Sequence, residues 1–162
     1  MEELVFRILV VDDNAPFRQF VLSKLCQRPE WQVVGEASDG LEAVHKAAEL
    51  QPDLIVLDIG LPTINGIEAA RRIRKLAPES KILFLSQESS PDVVQEALSL
   101  GALGYVVKAL AGTELRVAVQ AILQGKQFVT AELADQVFID PNDERSSNPS
   151  REDLTPLLEA GN

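Results

Sequence analysis

Short apolar runs alternate along this chain with stretches of helical period, and that alternation leaves few folds open. The runs are Arg7 to Val11, Gln32 to Ala37, Leu54 to Asp58, Lys81 to Ser86 and Gly104 to Val107. A short run that is apolar at nearly every position suits a strand covered on both faces, and strands of that kind separated by helices run parallel. Between the runs, apolar residues recur three and four positions apart. Phe17, Val21 and Leu25 mark the first stripe; Leu41, Val44 and Ala48 the second; Ile67, Ala70 and Ile73 the third; Val94, Ala97 and Leu98 the fourth. The fifth is the longest: Leu115, Ala118, Val119, Ile122 and Leu123 make one continuous face to lay against a sheet.

Punctuation agrees with these boundaries. Gln51-Pro52, Ala77-Pro78 and Ser90-Pro91 disfavour helix continuation, whereas Asp39-Gly40 and Asn65-Gly66 signal turns or helix entries. Five βα units with right-handed crossovers give an α/β, flavodoxin-like (βα)5 doubly wound parallel sheet with strand order 2-1-3-4-5. At 162 residues, 46% of them hydrophobic, the chain has material for one such domain and a tail. Ligands of these sheets bind outside the carboxyl ends of the strands, where the strand order reverses. Asp12 and Asp13 follow the first run, Asp58 closes the third and Lys108 follows the fifth, so three acids and one base converge on that crevice. Singly, each has an ordinary alternative: Asp12 or Asp13 as a helix cap, Asp58 as a loop acid, Lys108 as an exposed charge.

Composition excludes several classes of function. A net charge of −10 opposes a general polyanion-binding surface, and the basic cluster Arg71-Arg72-Ile73-Arg74-Lys75 falls within one amphipathic helical pattern, so it reads as a solvated face. Direct nucleic-acid binding by this chain is therefore not expected. No apolar stretch approaches the roughly 20 residues of a membrane span, and the acidic start Met1-Glu2-Glu3 is unlike a signal peptide. A cytoplasmic location without membrane contact is the expectation. The single Cys26 reads as a small core residue, and His45, off the second stripe, as an exposed helical one. Gly-rich nucleotide loops and Cys/His zinc spacings are absent.

Several ordered motifs resemble the receiver domain of bacterial two-component response regulators. They are Ile8-Leu9-Val10-Val11-Asp12-Asp13-Asn14, Val56-Leu57-Asp58-Ile59-Gly60-Leu61-Pro62, Asn65-Gly66, Leu85-Ser86, and Gly101-Ala102 through Gly104-Tyr105-Val106-Val107-Lys108. The resemblance covers roughly residues 5 to 128. Ile59-Gly60-Leu61-Pro62 and a Lys108 without a following proline are similar to the NarL/FixJ (LuxR-type) subfamily, whose members commonly carry a helix-turn-helix after the receiver.

The resemblance implies a phosphoacceptor signalling domain that is not an enzyme beyond assisting its own phosphorylation and dephosphorylation. A carboxylate can form an acyl phosphate without prior deprotonation at neutral pH, and Asp58 is the implied nucleophile. Mg²⁺ (or Mn²⁺) is the implied cofactor, held by Asp13, Asp58 and the Gly60 backbone carbonyl, with Asp12 reached through water. Lys108 is expected to pair with Asp58 before transfer and with the phosphoryl group afterwards. Ser86 would bond the phosphoryl oxygen, Tyr105 would move into the space its loop vacates, and the fourth helix, fifth strand and fifth helix would form the readout face. Gly60 and Glu88 occupy the positions that influence the hydrolytic water. Because Gly60 has no side chain, autodephosphorylation is expected over minutes. The implied phosphodonor is a sensor histidine kinase, and homodimers on phosphorylation are a family habit.

The expected domain boundary falls after residue 130. Thr130-Ala131-Glu132-Leu133 reads as a capped helix start reaching Val137 or Phe138, and Pro141 to Ser150 as a polar flexible linker. Leu154-Thr155-Pro156 resembles the opening of a LuxR-type DNA-binding domain without the charged helical residues that should follow. Residues 131–162 are thus expected to form a short helix and acidic tail with no complete output domain. Three classes of function stand: a phosphoacceptor switch acting on a partner, the regulatory piece of a transcription factor whose helix-turn-helix is missing here, and a noncatalytic scaffold or flavin module on the same fold.

Overall fold

A computed structural model describes residues 4–134. Five strands, β1 (Phe6–Val11), β2 (Trp31–Ala37), β3 (Leu54–Leu57), β4 (Lys81–Ser86) and β5 (Gly104–Val107), alternate with helices α1 (Ala15–Leu25), α2 (Gly40–Leu50), α3 (Gly66–Leu76), α4 (Pro91–Ser99) and α5 (Ala111–Leu123). A two-residue strand β6 (Phe128–Val129) and a short helix α6 (Ala131–Ala134) follow. All pairings are parallel, in the order β2-β1-β3-β4-β5-β6. The expected flavodoxin-like order is present, extended by one strand.

Both faces of the central strands are buried, which is why their sequences read as unbroken apolar runs. Leu9, Val11, Ile55, Leu57, Ile82 and Phe84 face the layer formed by α2, α3 and α4. Their neighbours Ile8, Val10, Leu54, Val56, Leu83 and Leu85 face α1 and α5. Each such side chain removed from water contributes about 1.5–3 kcal/mol of transfer free energy, so the paired layers fix the register that aligns the strand ends.

Local chemistry sets the helix entries. Asn14, Asp39 and Asn65 each accept a backbone N–H bond at an N-terminus, and Pro91 occupies the first position of α4 after Ser90. Asn14 caps α1, so neither Asp12 nor Asp13 is spent on that role. Gly66 is required by a close approach: a Cβ there would stand 2.0 Å from the Asp58 backbone oxygen.

Three sequence readings are corrected. Cys26 is exposed at the end of α1, beyond the buried stripe of Val21 and Leu25. The buried face of α2 is Gly40, Ala43, Val44 and Ala47, leaving Leu41 40% exposed, because Gly40 packs against the Ile64 backbone and turns the helix about its axis. The Thr130 hydroxyl is engaged not by the α6 backbone but by Val107 of β5 and Glu114 of α5. The solvated basic face of α3 and the exposed His45 match their readings. The extension to Val137 or Phe138, the linker and the Leu154 segment lie outside the described residues.

Candidate functional site

The carboxyl ends of β1, β3, β4 and β5 meet at a cleft of about 840 Å³ lined by Asp13, Asp58, Gly60, Ser86, Glu88 and Lys108, among others. Asp12 lies behind the lining, bonded to Lys108. Asp12 and Asp58 are buried, at 2% and 6% exposure, whereas Asp13 is exposed at the mouth. One carboxylate oxygen from each of the three lies within 4.8 Å of the other two.

Lys108 Nζ stands 2.8 Å from Asp12 Oδ2 and 3.1 Å from Asp58 Oδ2, so it joins the two buried acids rather than serving Asp58 alone. The remaining oxygens are also engaged: Asp58 Oδ1 accepts from the Gly60 N–H at 3.3 Å, and Asp12 Oδ1 from the Asn14 N–H at 2.8 Å. Burial raises the Asp58 pKa above the ordinary 3.8; the Lys108 ammonium draws it back, and the Asp12 charge raises it again. For Lys108, burial alone would lower the pKa, but bonding to Asp12 and the charges of both acids hold it above the usual lysine value.

Ser86 and Tyr105 meet on one short loop. Ser86 Oγ accepts from the Glu88 N–H at 3.1 Å, and the Tyr105 hydroxyl donates to the Glu88 carbonyl at 2.8 Å. Ser86 lines the cleft; Tyr105 does not, and is fully buried beneath the loop. Burial pushes its phenol up to about 12. The aromatic is thus turned inward, with Glu88 linking it to Ser86.

Two contributions from α1 escape a reading by motif. The Phe17 ring lies 4.6 Å from Lys108 Nζ, on the ammonium that also binds Asp12 and Asp58. Arg18 donates to the Asp12 carbonyl at 2.6 Å while its Nε binds Glu36 at 2.8 Å. Phe17 is legible only as a member of an apolar stripe, and an arginine bonded to a main-chain oxygen leaves no sequence pattern.

The carboxylate oxygens make a hard, small donor set, and the open side of the cleft leaves room for water. That combination fits a divalent cation of the Mg²⁺ type, which keeps several waters beside one or two carboxylates. Among the described residues, no helix is long and apolar enough to cross a membrane.

Residues 8–120 match the family model of the response regulator receiver domain. The chain is 45% identical over 109 residues to a protein-glutamate methylesterase/protein-glutamine glutaminase of Thermotoga maritima, covering 67% of this chain and 32% of that protein. It is 34% identical over 129 residues to the transcriptional regulatory protein DegU of Brevibacillus brevis, covering 80% of this chain and 55% of that one. It therefore spans only a third to about half the length of these relatives. The crystal structure of a LuxR-family two-component response regulator from Aurantimonas superposes with a TM-score of 0.78 at 34% identity, covering 82% of this chain and 95% of that one. Sheet order, acidic cleft and matched sequence agree: this chain belongs to the response regulator receiver domain family, the signalling domains of two-component systems.

Proposed function

We propose that this chain accepts a phosphoryl group on Asp58 from a sensor histidine kinase and converts that event into a change at the β4–α4 loop and β5. The observation that carries the reading is the Asp12–Lys108–Asp58 arrangement at 2.8 and 3.1 Å in a cleft open to solvent. A carboxylate drawn out of water is a better nucleophile than a solvated one, and the adjacent ammonium opposes the rise in pKa that burial causes.

Asp13 and Asp58, with the Gly60 carbonyl and Asp12 behind them, would hold Mg²⁺, which offsets the charge of the incoming phosphoryl oxygens. The chain's own residues do the rest. As the P–N bond of the kinase's phosphohistidine breaks and an Asp58 oxygen forms the acyl phosphate, releasing the imidazole, Lys108 moves from that oxygen to the phosphoryl group, staying anchored to Asp12. Phe17 covers one side of that ammonium. Ser86, whose oxygen accepts from the Glu88 N–H, donates its hydroxyl proton to a phosphoryl oxygen, and because Tyr105 holds the Glu88 carbonyl, the loop and the aromatic respond together.

Intact-mass measurement after incubation with Mg²⁺ and acetyl phosphate tests this. Wild type gains one phosphoryl group and Asp58→Ala gains none; an unmodified wild type that binds Mg²⁺ refutes the reading. A second reading, the same switch as the regulatory part of a longer transcriptional regulator, is favoured by the 34% identity to DegU across 80% of the chain.

A further inference from the structure

Thr63 is held in a conformation that its side chain disfavours. Its φ of 67° lies in the left-handed region, where a β-branched residue is crowded and glycine is at ease. Among the described residues other than glycine, only Gln51 shares a positive φ, and Gln51 closes α2, where helices commonly end in that conformation. Thr63 ends no helix. It stands in the loop 58–65 that joins β3 to α3.

The groups around Thr63 hold it there. Its hydroxyl oxygen accepts from the Leu41 N–H at 3.2 Å, and its proton has two acceptors in reach, the Pro62 carbonyl at 2.6 Å and Asp39 Oδ1 at 3.3 Å. Beside it, the Gly40 N–H donates to the Pro62 carbonyl at 3.1 Å. Gly40 and Leu41 are the first two residues of α2, whose N–H groups have no partner inside their own helix. The start of α2 therefore fastens the far side of the loop. The near side is fastened at Ile59, whose carbonyl accepts from the Leu61 N–H at 2.8 Å and the Gly66 N–H at 2.7 Å. Gly60 lies between these two ties, its own N–H on Asp58 Oδ1.

We infer that Thr63 is a positioning residue that sets the choice of divalent cation, by fastening the loop so that the Gly60 carbonyl meets a small ion. The inference rests on the phosphoacceptor reading, in which that carbonyl joins Asp13 and Asp58 as a metal ligand. Mg²⁺ demands near-ideal octahedral geometry at about 2.0–2.1 Å, whereas Ca²⁺ accepts irregular sets of oxygens at about 2.3–2.6 Å. A carbonyl on a fastened loop suits the first ion, and on a slack loop it adapts to the second. The strained φ has its explanation in the same terms. Glycine would adopt that conformation freely but would lack the hydroxyl that ties the loop to α2.

Amide NMR titrations of the full chain with Mg²⁺ and with Ca²⁺, followed at the Asp13 and Gly60 signals, test this beside thermal unfolding of the same samples without metal. Thr63→Gly binds Mg²⁺ about fivefold more weakly and Ca²⁺ as tightly as wild type does, so the preference for Mg²⁺ falls by the same factor. Its melting temperature stays within about 3 °C of wild type, because relief of the strained φ offsets the lost hydroxyl bonds. Thr63→Ala removes the hydroxyl without glycine's backbone freedom and shows the same loss of preference, which keeps the test open if Thr63→Gly does not fold. Thr63→Ser, which keeps the hydroxyl, keeps the wild-type preference. Equal weakening of both ions in the glycine and alanine variants overturns the inference, as does an unchanged Mg²⁺ affinity or a serine variant that behaves like alanine. Wild type whose Asp13 and Gly60 signals respond to neither ion overturns the metal site beneath the inference as well.

Discussion

At the residue scale, Asp58 and Lys108 pull stability in opposite directions. A carboxyl whose pKa is higher in the fold than in the unfolded chain is favoured by folding when protonated. Its contribution is fully present below 3.8 and lost as pH rises through the folded value. At pH 7, therefore, Asp58 costs stability, and Asp58→Asn is expected to raise the melting temperature of the metal-free protein by about 3 °C. Scanning calorimetry across pH should show that gain shrinking on acidification; a gain constant down to pH 3 would contradict the role of burial. Lys108 behaves in the reverse sense, its raised pKa contributing stability that is lost only above the usual lysine range. Lys108→Met leaves Asp12 and Asp58 buried without their cation and is expected to cost about 3 kcal/mol in metal-free urea unfolding. Mg²⁺ should recover part of that loss, since it supplies the missing positive charge to the same carboxylates. The four ionisable residues were legible in the sequence because each follows an apolar run. Phe17 and Arg18 were not, because an aromatic over an ammonium and an arginine on a carbonyl depend on how α1 leans across the cleft.

Elements place these residues, and glycine decides how closely they approach. Gly66 opens α3 with its backbone against the Asp58 carbonyl, and a methyl group there would stand 2.0 Å from that oxygen. Gly66→Ala must push the α3 entry away or displace Asp58. Either way it is expected to cost about 1–3 kcal/mol in denaturant unfolding and to slow phosphorylation by acetyl phosphate; full stability with an unaltered rate would mean that the loop yields freely. Helices and strands were readable wherever apolar period and punctuation coincided, as in β1, β4 and α5. The second helix was misphased by its exposed Leu41, since the contact that orients it is Gly40 on Ile64, a tertiary approach with no local signal. The sixth strand was missed for a related reason. Phe128–Val129 is too short to show alternation, and what keeps it in the sheet is backbone pairing with β5, continued beyond the strand by the buried Thr130 hydroxyl on Val107.

For the whole molecule, the doubly wound sheet explains why residues from positions 12, 58, 86 and 108 meet. Parallel strands deliver their carboxyl ends to one side, and the two apolar layers lock the register that brings the acids within 4.8 Å of one another. The same sheet extends to β6, after which Thr130 bonds Val107 of β5 and Glu114 of α5 on either side of Lys108. All of this depends on which atom receives the phosphoryl group. Borohydride reduction of the acetyl phosphate-treated protein, followed by digestion and peptide mass sequencing, reads that atom directly, because an aspartyl phosphate is reduced to homoserine. The account predicts homoserine at position 58 alone; homoserine at position 12 or 13, or a phosphorylated protein with none, would contradict it.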